Sequence, residues 1–497
     1  MKSDYEQLME VDSRKIAEAV KLQLPIIVTS YTLPRNMETY IREVLKTFLT
    51  ECRQEQLFEY LNFCLSELMT NAKKANTKRV YFEERNLDIN NLEDYEKGMK
   101  TFKEDTLTNI DHYLELQKKK GLYIKLLLQL RGDKIKIEIR NNSILTGREA
   151  GRIQSKLECV QKFENVQEAF QNELDQSEGA GFGIIIIVLM LQKVGLSKDN
   201  YQVFVDDKET VTRIILPCNW KIFGGIEMLS YQYVKLQNTY PCLQEHFSKA
   251  QKFVNSPELD RKAFYDYISK DLILSMLMLK KSLHKMDTNL NLLEVFNTFT
   301  DGELREIFSL DNPDLNVINT TEDTKKYFDH SRNVAYYAYN IAKNFALPGA
   351  LSPESLYTLG LLNSIGLVMI KTATPEQIQY VEDLLKNYDV AQQIKDIFYR
   401  GITADYIGMV FAKKEGFPSI VSSVFGFWNN IESIDLDNLA NHKVIYFAEM
   451  LQCYDEGRIE FYQLDKEILK EFNITAEVQF THILDELKKN QNFESGI

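Results

Sequence analysis

The chain has 497 residues, 44% of them hydrophobic and 26% charged, and a formal net charge of −13. That length favours two or three domains, and the acidic balance argues against broad binding to nucleic acid, which needs a basic footprint. The longest apolar run, 184–191, is cut off by Gln192 and Lys193, well short of the roughly 18 residues of a membrane span.

The opening residues, MKSDYEQLMEVDSRK, are polar and acidic and do not read as a secretory signal. Cys52, Cys64, Cys159, Cys218, Cys242 and Cys453 show no metal-type spacing, so a cytoplasmic protein with reduced thiols is expected. Residues 38–76 read mostly as helix, with Leu45, Phe48, Leu57, Leu61, Leu65 and Leu68 near helical spacing. The charged, helix-prone stretch 86–120 reads as an insertion. LYIKLLLQL (122–130) and KIKIEI (134–139) read as strands around a turn at Gly132-Asp133. A long polar segment follows, then SEGAGFG (177–183), an apolar helix, and a closing hairpin from YQVFV (201–205) and VTRIILP (211–217). Gly224-Gly225 marks a linker, and from about residue 240 the pattern is amphipathic helix. The outline is an α/β domain over 1–220, a linker over 221–239 and an all-α domain over 240–497.

Within ELMTNAKKAN (67–76), Glu67, Asn71 and Lys74 fall on one narrow helix face at about 100° per residue. An amide oxygen there can ligate Mg²⁺, an ammonium can meet a phosphate, and a carboxylate can take a proton. A solvated stripe on an amphipathic helix would give the same spacing. Gly179, Gly181 and Gly183 precede an apolar helix, where backbone N–H groups suit phosphate; a hinge would also use glycine.

The order of these pieces resembles the GHKL ATPases over about residues 60–217. The resemblance implies a two-layer α/β sandwich of the Bergerat type that binds ATP and Mg²⁺. Glu67 would be the catalytic base, with Asn71 at the Mg²⁺ position and Lys74 beside it. Gly179, Gly181 and Gly183 would form the second glycine box, and 144–178 the ATP lid. Where the family carries Asp-x-Gly-x-Gly, this chain has Asn141 followed by Ser143 and Leu145. An Asn keeps an acceptor oxygen for adenine but not the charge. No histidine precedes Glu67, which argues against a self-phosphorylating histidine kinase.

Further on, DHSRNVAYYAYNIAKNF (329–345) and LYTLGLLNSIGLVMIK (356–371) carry a second pattern. By itself the first is a core helix with His330 near its start. With ISKDLILSMLMLKKS (268–282) and DYIGMVFAKKEGFPSIV (405–421), the series resembles the HDOD family, regulatory relatives of HD phosphohydrolases. HD enzymes hold metal with a His-Asp pair; here that pair reads Asn363-Ser364, Asp405 stands at the next histidine position, and Trp428-Asn429 at a later one. The resemblance implies a non-catalytic helical module. The combined expectation is a cytoplasmic signalling protein that binds an adenine nucleotide and contacts an unidentified signalling protein, without membrane or nucleic acid, and with a homodimer left open. The rivals are a GHKL-type protein kinase or slow ATPase using Glu67, and a scaffold with a decayed nucleotide site.

Overall fold

The computed structural model describes residues 10–159, 182–193, 196–218, 220–283, 290–386, 391–425 and 438–491. The chain divides into two compact units at Cys218, with Lys21–Gln23 counted in the second.

The first unit is built on a five-stranded antiparallel sheet of β1 (Ile26–Ser30), β2 (Ile124–Arg131), β3 (Lys134–Asn141), β4 (Tyr201–Asp206) and β5 (Glu209–Pro217), in the order β1-β2-β3-β5-β4. Strict alternation makes β2 and β3 pair: Leu126 faces Ile139, Leu128 faces Ile137 and Leu130 faces Ile135 on the buried side. Gly132-Asp133 closes this hairpin, with Gly132 at φ +57°, a conformation that glycine adopts without a Cβ clash. The opposite side of β3 carries Glu138, which is fully buried. Its carboxylate accepts from Arg213 Nε at 2.6 Å and Arg140 Nε at 2.8 Å. Burial pushes that carboxyl up, but the charges of Lys136 and Arg140 and the two arginine hydrogen bonds outweigh it and hold it below the usual range.

Around the sheet run α1 (Ser13–Lys21), α2 (Arg35–Glu51), α3 (Phe58–Glu84), α4 (Leu92–Thr108), α5 (Ile110–Lys119), α6 (Gly147–Cys159) and α7 (Phe182–Lys193). The helix read over 38–76 is in fact two, interrupted at Arg53, whose φ of +57° no α-helix accommodates. The stretch 86–120 is helical, and α4 and α5 build a satellite core with Tyr81, Phe82, Tyr95 and Tyr113. Helix α3 packs on β2 and β3, and α7 packs on α3. Of the stretch read as a lid, 147–159 is α6; residues 160–178 lie outside the described residues.

In the second unit two expectations need correction. Residues read as a linker belong largely to helix α8 (Trp220–Leu236). Burial of Ile226, Leu229, Tyr233 and Val234 outweighs the roughly 1 kcal/mol that each interior glycine costs. The unit is also not all-α: β6 (Tyr240–Leu243) pairs in parallel with β7 (Leu315–Ile318). Four residues are too short to show a period of two, and all four of β6 are buried.

The helices that position the candidate centre are α9 (Glu322–Asn344), α10 (Pro353–Leu362), α11 (Ile365–Lys371), α12 (Ala404–Lys414) and α13 (Leu439–Asp455). A capping box of Thr321 and Thr324 starts α9, and Ser352 with Pro353 starts α10. Helix α9 packs along both α10 and α13. Gly360 makes the first approach possible, since a Cβ there would lie 3.0 Å from Ala335 Cα. Among the described residues no single helix is long and apolar enough to cross a membrane.

Candidate functional site

His330 is not at a helix start. It lies eight residues into α9, buried, with both ring nitrogens engaged. Nε2 lies 3.0 and 3.1 Å from the two oxygens of Glu449, and Nδ1 lies 2.8 Å from Glu456 Oε1. A ring facing carboxylates through both nitrogens donates twice, so it is an imidazolium. Burial pushes its pKa down, but the charge of Glu449 and the hydrogen bonds to Glu449 and Glu456 outweigh this and raise it to about 9. Glu456 goes down to about 2: burial opposes ionisation, and the bond and charge of His330, with Gln452 and Arg458, prevail.

Glu449 and Cys453 stand one turn apart on α13, and the Cys453 thiol lies 3.4 Å from Glu449 Oε1. Burial, then the Glu449 charge, push that thiol well above its ordinary pKa. Asn363, the C-cap of α10, donates its amide to Glu449 Oε2 at 3.1 Å. Ser364 is the N-cap of α11 but makes no side-chain cap bond. Asn363 therefore joins His330 through a shared carboxylate. The sequence reading missed Glu449, Cys453 and Glu456. The available signal was Glu449 alone among Phe447, Ala448, Met450 and Leu451 in an apolar helix. Trp428 and Asn429 lie outside the described residues.

In the first unit Glu67 and Asn71 are half-buried and Lys74 is exposed along α3. None of the three has a hydrogen bond or ion pair among the described residues. Asn141 is buried and donates its amide to Asn76 Oδ1 at 3.1 Å. Ser143 Oγ donates to the same oxygen at 2.7 Å, and Asn76 Nδ2 donates to the Tyr123 carbonyl. Asn76, in the quoted stretch but not singled out there, thus ties α3 to the end of β3. Gly183 lies in the first turn of α7, whereas Gly179 and Gly181 lie outside the described residues.

Comparison with known proteins bears on the second unit. Residues 314–430 match the HDOD domain family. The chain carries an HDOD domain. It is 33% identical over 474 residues to an uncharacterized protein of Treponema pallidum (strain Nichols), covering 94% of this chain and 92% of that one. The two belong to one family. Among solved structures, the MmoQ response regulator fragment from Methylococcus capsulatus is 16% identical, covering 49% of this chain and 94% of its own, with a TM-score of 0.38. An HDOD domain protein of unknown function from Geobacter sulfurreducens is 15% identical, covering 55% and 96%, with a TM-score of 0.27.

The HDOD match spans His330, Asn363 and Ser364, while Glu449 and Cys453 lie beyond it. The ligand atoms of His330, Glu449 and Cys453 lie within 4.8 Å of one another, close enough for a metal ion. A metal there would have to displace the proton that Glu449 and Glu456 hold on His330 and that of the buried Cys453 thiol. Arg458 Nη1 also sits 3.5 Å from Cys453 Sγ, which opposes a second cation. Elemental analysis of purified protein should therefore find zinc, iron and manganese well below one equivalent; one bound equivalent removed by a chelator would contradict this.

Proposed function

We propose that this is a regulatory protein whose HDOD domain is non-hydrolytic and contacts a signalling protein, and whose first unit binds a Mg²⁺–adenine nucleotide. The observation that carries the reading is the locked His330. Both nitrogens are spent on Glu449 and Glu456, and the position of an HD aspartate is a serine, so no group is left to bind metal and activate water.

The nucleotide half rests on the row of Glu67, Asn71 and Lys74, polar groups at ligating spacing without a partner among the described residues. Support also comes from the strand order β1-β2-β3-β5-β4 with α3 laid against it, an arrangement compatible with a GHKL sandwich. Asn141 has its amide committed to Asn76 but its Oδ1 without a partner among the described residues, so it retains an acceptor for an adenine amino group. Glu67 would act as base if the nucleotide is turned over to water or to a partner's side chain.

Calorimetric titration tests the nucleotide half. Wild-type protein should bind ATP in a Mg²⁺-dependent manner, and Asn71→Asp should change the Mg²⁺ dependence by about tenfold or more through altered charge at the cation. Absence of ATP binding at millimolar concentration sinks this half and leaves the HDOD half standing. The latter is tested separately by assaying phosphodiester hydrolysis with Mn²⁺ or Mg²⁺ supplied, where no turnover is expected.

A further inference from the structure

A second feature of the first unit lies where α3, α4 and α6 meet. The buried ring of Tyr95 on α4 is surrounded by three cations. Lys78 Nζ lies 5.7 Å from the ring centroid, Arg148 Cζ 5.6 Å and Arg152 Cζ 5.2 Å. Arg152 also donates from Nη1 to the Tyr95 hydroxyl at 2.9 Å.

The carboxylate that serves this corner is Glu149, and it is already shared. It takes Lys78 at 3.0 Å and Arg79 at 2.7 Å, and it accepts the Thr146 N–H at 3.0 Å. Among the described residues Arg148 and Arg152 have no carboxylate partner, and Arg148 Nη1 is buried with no hydrogen-bond partner. Among the described residues four cations thus have one carboxylate between them. A cation over a tyrosine ring gains less than a buried, unpaired guanidinium N–H costs. The arrangement is short of negative charge and of hydrogen-bond acceptors.

We propose that this corner is a binding site for a phosphate-bearing small anion. A phosphate group supplies both missing things at once: up to two negative charges, and oxygens that match the two-pronged donor edge of a guanidinium. Arg148 and Arg152, one turn apart on α6, grip it from one side and Lys78 from the other, while Tyr95 fixes the three cations in place. Lys78 follows Lys74 by one turn of α3, whereas Arg148 and Arg152 lie on α6, so the two readings are tested on different residues.

The test uses the full chain with inorganic pyrophosphate, at ionic strength held constant with chloride. Saturable binding by calorimetry and a rise in melting temperature are expected for wild type. Arg148→Gln with Arg152→Gln should weaken pyrophosphate by about tenfold or more, the scale of losing charge-assisted bonds, whereas Lys252→Gln, which removes an exposed charge in the second unit, should leave it unchanged. Far-ultraviolet circular dichroism confirms that the double variant is folded. A parallel arm offers vesicles containing phosphatidic acid, because a lipid headgroup presents the same chemistry. Binding to vesicles without saturable pyrophosphate binding overturns a small-molecule ligand. Equal affinity in wild type and the double variant, or no pyrophosphate binding in either, overturns the site.

Discussion

Replacing His330 by alanine should destabilise the HDOD-containing unit by roughly 3–5 kcal/mol, the usual cost of removing one partner from a buried ion pair. The loss comes mainly from what remains: Glu449, buried, keeps its bond from Asn363 but loses the imidazolium that held it ionised, so it must carry an unpaired charge or take up a proton. Urea denaturation of the two proteins measures the difference. Replacing Glu449 by leucine in the same chain should recover part of it, because the stranded charge is then gone. A pH series adds an independent check. His330 is raised from its ordinary 6.5 to about 9, so its contribution is complete below about 6.5 and fades as pH rises through about 9. Wild-type stability should fall over that window, and the His330→Ala variant should lose this part of the slope. A slope of equal size in both would place the titrating group elsewhere.

Gly366→Ala should be at least as damaging, by a different mechanism. A Cβ at Gly366 on α11 would lie 1.8 Å from the Ala404 carbonyl oxygen and 2.7 Å from the Gly408 backbone nitrogen on α12. Both obstacles are backbone, so no side-chain rotation relieves them and the helices must separate. Overpacking typically costs about 1–3 kcal/mol; here the upper end or beyond is expected, seen as a fall of several degrees or more in melting temperature or as insoluble protein. Gly302→Ala is the control, since the nearest atom to its added Cβ is Thr300 Oγ1 at 3.9 Å, and it should be close to neutral. A Gly366→Ala variant as stable as Gly302→Ala would mean that α11 and α12 are not held in this contact.

Local pattern by itself determined several parts of this protein. The alternation of Ile and Leu in 122–139 with Gly132-Asp133 specified the central hairpin, and 201–217 specified the last one, because a period of two records which side of a strand is buried. The series of segments around 268–282, 329–345, 356–371 and 405–421 specified the HDOD character, and Asn363-Ser364 specified its lack of a His-Asp pair. Other parts were decided only by the tertiary structure. β1 and the pair β6–β7 were not legible, since strands of four or five residues carry too little periodicity and depend on partners far along the chain. His330 read as an ordinary helix residue until Glu449, 119 positions away, was brought to its ring. Tyr95, Arg148 and Arg152 read as ordinary insertion and lid residues until α4 and α6 met. A helix face is written in the spacing of a dozen residues, whereas a buried charge acquires its meaning from the counter-charge opposite, and that pairing is set by packing.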